Sequence, residues 1–196
     1  AFAEHSGQLY FDADTFWSAA FMGRGLRERR GRVDRVAAYR AAVSAAGVPA
    51  SRIGFETDFD YEGRPVLRAA DRRRAGFLIG SYHWTPETAA RAPFDARVCA
   101  ERHLHVWDRM LASGIDVLAH PFRIFNRAGI APPGGLFTDL ARRLAAAGVA
   151  AELNYHIEEP YPEFVLACLE AGVRFALATD SHDLVEVADF WPHLRL

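Results

Sequence analysis

The stretch "RFALATDSHD", residues 174–183, runs from an apolar segment of strand length into Asp180, Ser181 and His182. Why an apolar run should close on an acid and an imidazole two residues apart is a question for the whole chain, because other runs end alike. "AFAEH" (1–5) ends on His5, "RIGFETD" (52–58) carries Glu56 and Asp58, and "FLIGSYH" (77–83) ends on His83. "DVLAHP" (116–121) brings His120, and "AAELNY" (150–155) brings Asn154 with His156 one step beyond. Between these runs, apolar residues recur at helical spacing over 31–46, 95–112, 137–147 and 162–171. Gly47, Gly114, Gly148 and Gly172 each fall after a helical stretch and before a strand, where helices stop. Repeated strand, helix, strand units predict an α/β fold with a mostly parallel sheet, open or closed into a barrel. In such folds the C-terminal ends of the strands face one way, so polar residues distant in sequence converge on one mouth. Imidazoles with carboxylates suit zinc, manganese or iron, and a carboxylate can bridge two ions.

Composition narrows the remaining classes. The 196 residues fit one domain, 1–196, and 51% hydrophobic with 24% charged residues is ordinary for a globular chain. A net charge of −2 gives no case for bulk attraction to nucleic acid or to an anionic membrane. All 23 basic residues are arginine, so Schiff-base and lysine-nucleophile chemistry are excluded within the chain. Cys99 and Cys168 lie inside helical patterns as small packing residues, and the absence of CxxC removes zinc-ribbon and redox-pair readings. No apolar stretch approaches the roughly 20 residues a bilayer span needs, and no secretory pattern is visible, so a cytoplasmic location is expected.

Other residues are read as bystanders. "RHLHVW" spells His-x-His, but His103 and His105 fall within the helical segment 95–112, where two steps rotate by about 200°. His103 is expected to pack with Cys99 and Trp107, His105 to face solvent, and His193 to be structural or on the surface. The arginine-dense "GRGLRERRGR" (23–32) is read as a solvated loop or helix start, with an anion-contacting lid as the sharper alternative. "RAGIAPPGGLF" (127–137) is a Gly/Pro loop in a position to lie over a substrate.

Taken in order, "AEHSG", "GFETD", "GSYHW", "DVLAHP", "AELNY" and "ATDSHD" resemble the PHP superfamily, the polymerase and histidinol phosphatase type domains, over nearly the whole chain. The histidinol-phosphatase branch is the nearest in flavour. The resemblance implies a distorted seven-stranded β/α barrel holding two or three divalent metal ions and hydrolysing phosphate esters. Carried onto this sequence, it makes Glu56 a carboxylate bridging two metals, with His83 and His120 on the second and Asp180 on the first. His5 and His182 would hold the third. The family's usual opening strand, with its metal-binding His-x-His, has no counterpart here. The resemblance therefore implies an N-terminally truncated member lacking the first strand and helix, with a degenerate member as the alternative.

The expected chemistry is metal-assisted hydrolysis of a small phosphomonoester, with Glu56 and Asp180 as the catalytic pair and Asp180 also orienting the attacking water. An arginine should grip the phosphate, since a guanidinium matches two oxygens at once; Arg123 is the first candidate and Arg127 the second. Asn154 would meet the substrate, support a ligand or cap its strand, and His156 would touch the substrate or ligate. Two rivals stand beside this reading: a phosphodiesterase or exonuclease on nucleic acid, which the charge disfavours, and an inactive module stabilised by metal.

Overall fold

The computed structural model describes residues 1–22, 34–93, 95–156 and 160–195. The arginine-dense stretch 23–32 lies outside the described residues. Six strands, β1 (Phe2–His5), β2 (Ile53–Asp58), β3 (Leu78–Ser81), β4 (Val117–Leu118), β5 (Ala150–Asn154) and β6 (Phe175–Ala178), form one sheet in sequence order. Every neighbouring pair is parallel. The sheet curls into a half-barrel, an α/β arrangement compatible with part of a larger barrel.

All six strand expectations are met, each trimmed to the residues that make ladder bonds. The largest trim is at β4, where the 116–121 run retains two strand residues. Pro121 has no N–H to donate, and His120 leaves the extended region with φ 23°. The four helical segments appear as Val36–Ala45, Ala96–Ala112, Leu136–Ala147 and Pro162–Glu170. Gly47, Gly114, Gly148 and Gly172 all take positive φ (80, 81, 68 and 72°), the backbone that ends a helix and that side chains resist. Asp95 starts the longest helix by accepting from the Arg97 and Val98 amides. Several short helices fill the connections, including Ser6–Tyr10 directly after β1 and Arg123–Ala128 a short turn beyond β4.

Burial follows sheet position. The inner strand β5 is buried at all five residues, whereas the edge strands β1 and β6 have no fully buried residue. Ala96–Ala112 packs Val106, Trp107 and Met110 inward, and Leu136–Ala147 packs Leu136, Leu140 and Leu144. Leu118, Phe55, Phe122 and Phe125 join these in one continuous core beneath the strand ends. Among the described residues no helix is long and apolar enough to cross a membrane.

Candidate metal centre

Strand register does the first part of the assembly. His5, the last residue of β1, pairs with Glu56 on β2, and Glu56 in turn pairs with Ile79 on β3. His83 follows β3 by two residues and His120 follows β4 by two, so their rings come in over the same strand ends. Glu56 Oε1 lies 3.4 Å from His83 Nε2 and 3.3 Å from His120 Nε2, while its Oε2 lies 3.5 Å from His5 Nδ1. Four strands thus supply one carboxylate ringed by three imidazoles.

Asp58, two residues on and hence on the same face of β2, supports this ring. Its Oδ1 is 3.1 Å from His83 Nδ1 and 3.6 Å from His5 Nδ1. A carboxylate beside Nδ1 favours a proton there, which leaves the Nε2 lone pair of His83 pointing toward Glu56. The other oxygen of Asp58 accepts from the Gly7 amide at 2.7 Å and the Ser6 hydroxyl at 3.2 Å. Position 7 has to be glycine for this approach: a Cβ would sit 2.4 Å from the Phe16 ring.

The donor set fits a transition metal. Bonds of about 2.0–2.2 Å in a tetrahedron put neighbouring ligand atoms about 3.3–3.6 Å apart, close to the separations around Glu56. Glu56, His83 and His120 form one such group, and His5, Asp58 and His83 a second that shares the His83 ring. His5 Nδ1 is buried without a hydrogen bond although it faces two carboxylates, as expected of a donor atom set to share an ion.

The electrostatics agree. Burial opposes ionising Glu56, but His5, His120 and His83 outweigh it and hold the carboxyl well below its usual range. Asp58 is likewise held down against its burial by its contacts with the His5 and His83 rings. Burial would depress His5, yet Glu56 and Asp58 lift it to about 10: two adjoining carboxylates demand a positive charge at this spot. His120 goes the other way, pushed down to about 4 by burial and by Arg123, so its imidazole is neutral, the form that ligates.

A second layer lies across β5 and β6. Burial, with Glu56 and Asp180 nearby, raises Glu152 to about 8; its Oε2 accepts from the His120 amide at 2.8 Å and from Asn154 Nδ2 at 3.2 Å. Asn154 Nδ2 also lies 3.1 Å from Asp180 Oδ2, which Arg123 reaches at 2.8 Å. Burial and Glu56 push the Asp180 carboxyl up, but Arg123 and His120 prevail and hold it low. His120 and Asp180 both take positive φ (23 and 47°). Side chains resist that region, and strained backbone of this kind gathers at functional sites.

No protein-family model matches the chain, and no curated protein matches it.

Six of the expected site residues line one cleft. His5, His83, Arg123, Arg127, His156 and His182 line it together with Phe16, Trp17 and Trp84. The grouping within that mouth is different in two places. Asp180 engages Arg123 and Asn154 and joins none of the three-donor groups among the described residues. His182 groups with His156 and Glu186 and not with His5. Arg123 is 3% exposed and paired to Asp180, and Asn154 spans Glu152 and Asp180 from beneath the site. In the sequence Asp58 carries no assigned role, and neither Glu152 nor Glu186 stands out as a site residue. The signal for Glu152 was present, since a lone carboxylate inside the apolar run "AAELNY" needs a partner. Glu186 had none, because it comes from a short turn beyond the last strand.

The bystanders behave as expected. His103 is buried with its Nδ1 donating to the Cys99 carbonyl at 2.8 Å and its ring against Trp107, and His105 is exposed. His193 is buried and structural, its Nε2 lying 2.9 Å from the Leu153 carbonyl and 3.1 Å from that of Ala178.

Proposed function

We propose that the protein is a cytoplasmic, metal-dependent phosphoesterase of the PHP type, hydrolysing a small phosphomonoester in the manner of histidinol phosphatases. The observation that carries this reading is the partly buried Glu56 carboxylate, ringed at 3.3–3.5 Å by His83, His120 and His5 from successive strand ends. Glu56, His83 and His120 would hold one divalent ion, and His5 and Asp180 border the space for others. Bound there, zinc, manganese or iron would supply Lewis-acid activation of water and charge neutralisation at phosphorus.

The chain's own residues do the rest. Asp58 fixes the His83 tautomer through Nδ1, and Glu152 holds the strained His120 backbone in place. Arg123, anchored on Asp180, brings a guanidinium to the cleft where it can meet phosphate oxygens, and Arg127 lines the same cleft. Trp17 and Trp84 offer flat apolar walls for the organic part of a substrate. A small cleft with these walls suits a monoester better than a polynucleotide, which would need a basic track.

The test is metal analysis together with turnover of nitrophenyl phosphate, histidinol phosphate and a bis-nitrophenyl diester. Monoester hydrolysis abolished by chelation and restored by zinc or manganese is the expected result. Glu56→Gln should lower metal content and reduce turnover by on the order of 10³-fold. Diester preference would move the reading to a phosphodiesterase, and metal binding without turnover of any ester would leave only a metal-stabilised module.

A further inference from the structure

Two indoles, Trp17 and Trp84, line the same cleft as Arg123, Arg127 and the imidazoles of His5 and His83. Trp17 is 57% exposed, so most of a large flat ring stands in water beside a polar site. Both indoles are held by the core beneath them. Phe16 and Phe21, at 1% and 0% exposure, stack 5° from parallel with centroids 5.7 Å apart. Trp84 stands at 87° to each of them, 5.5 Å from Phe16 and 5.9 Å from Phe21. Trp17 meets Phe16 at 75° and 4.9 Å. The helix Ala13–Trp17 that carries Phe16 and Trp17 is started by Asp12, whose side chain accepts from the Thr15 amide at 2.7 Å. This aromatic group begins next to the metal cluster: the Phe16 ring lies 5.4 Å from the His5 ring, and the Trp84 ring 5.4 Å from the His83 ring.

We propose that Trp17 and Trp84 select the organic part of the substrate, and that the substrate is a phosphate monoester whose ester oxygen joins a planar aromatic ring through a short carbon link. The proposal rests on the phosphoesterase reading. A phosphate held by the cluster and the arginines has its ester oxygen turned toward indoles that start one ring away, so only a short link brings a ring onto them. Contact between two π-systems adds about two- to tenfold in affinity beyond the area covered. A saturated ring of the same size covers that area without the added term, and a sugar would set hydroxyls against apolar faces. In the reaction water forms the new P–O bond, the bond from phosphorus to the ester oxygen breaks, and the aromatic alcohol leaves with a proton that came from the water.

Benzyl phosphate and cyclohexylmethyl phosphate test this, because the pair is close in size and in leaving-group acidity and differs in the ring's π-system. With the zinc-loaded chain, kcat/KM should favour the benzyl ester by about two- to tenfold. Trp17→Leu keeps an apolar side chain and should remove most of that preference, through a higher KM for the benzyl ester. Trp191→Leu should keep the parent's preference, since Trp191 is an indole of similar exposure, 69%, that does not line the cleft. Benzylphosphonate, which is not hydrolysed, gives a readout without turnover: it should quench the tryptophan fluorescence of the parent, and bind Trp17→Leu more weakly by the same factor. The inference is overturned if parent and Trp17→Leu show the same preference, or if the parent binds benzylphosphonate no more tightly than cyclohexylmethylphosphonate. Turnover of nitrophenyl phosphate with no aromatic preference removes the inference and leaves the phosphoesterase reading standing. If no ester is turned over, that reading falls, and the phosphonate pair still decides whether the indoles select an aromatic ring.

Discussion

His103, midway along Ala96–Ala112, and His120, just past β4, are almost equally hidden, at 1% and 5% exposure. Burial, the largest cause in each case, drives both imidazoles down to about 4. What faces them differs. His103 donates to a carbonyl of its own helix and meets the edges and faces of Tyr82, Trp107 and Phe125. His120 meets Glu56 through its ring and Glu152 through its amide, on a backbone twisted to positive φ. A buried histidine becomes a candidate ligand when carboxylates converge on it, and burial alone gives only packing. Strand ends supply that convergence because side chains from several strands meet there, whereas a helix interior surrounds a side chain with its own turns and one apolar neighbour layer.

The widest separation between the two should come from substitution. His120→Asn, which tolerates positive φ, should lose metal and reduce ester turnover by on the order of 10²–10³-fold. Its circular dichroism should match the parent. His103→Ala should do the opposite: a loss of about 2–4 kcal/mol in denaturant unfolding from the cavity it leaves, with metal content per folded molecule unchanged. A folded His103→Ala lacking metal, or a His120→Asn retaining it, would break the distinction.

The same contrast explains what could be read in the sequence. The strands and four main helices were legible because apolar runs and helical spacing are local, and the stop glycines mark their ends. His5, Glu56, His83 and His120 were legible because a parallel sheet turns position in a strand into position in space. Side-chain pairing was not. Asp180 turning to Arg123, and His182 turning to His156, depend on rotamers and on loops beyond the strands, where no periodicity constrains direction. Asp58 shows the same limit: its alternation with Glu56 places it on the site face, but its grip on Gly7 and Ser6 depends on how the helix Ser6–Tyr10 leaves β1.

Acid titration gives a smaller but cleaner comparison, because His103 lies outside the metal cluster. Its folded pKa of about 4 sits below the unfolded value of 6.5. Between those values the unfolded chain binds more protons, so stability falls as pH falls from about 6.5 to 4 and is complete above 6.5. The shift corresponds to a contribution on the order of 3 kcal/mol across that window. His103→Phe keeps the ring and removes the titration. Its stability relative to the parent should therefore rise steadily from pH 7 to pH 4 in urea unfolding. A constant offset across that range would mean that His103 is not the buried neutral group described here.

The smallest effect belongs to His105, and it separates spacing from geometry. Written out, "HLH" is the pattern from which metal pairs are often inferred, yet His105 points to solvent while His103 points into the core. Two helical steps carry the side chain about 200° round the axis, so no rotamer lets the pair close on one ion without unwinding a turn. His105→Ala should leave unfolding free energy within about 0.5 kcal/mol of the parent, and zinc stoichiometry and ester turnover should not change. If instead that substitution removed an equivalent of metal, position on the helix would have failed to decide which histidines bind, and the same reasoning that selected His120 would lose its footing.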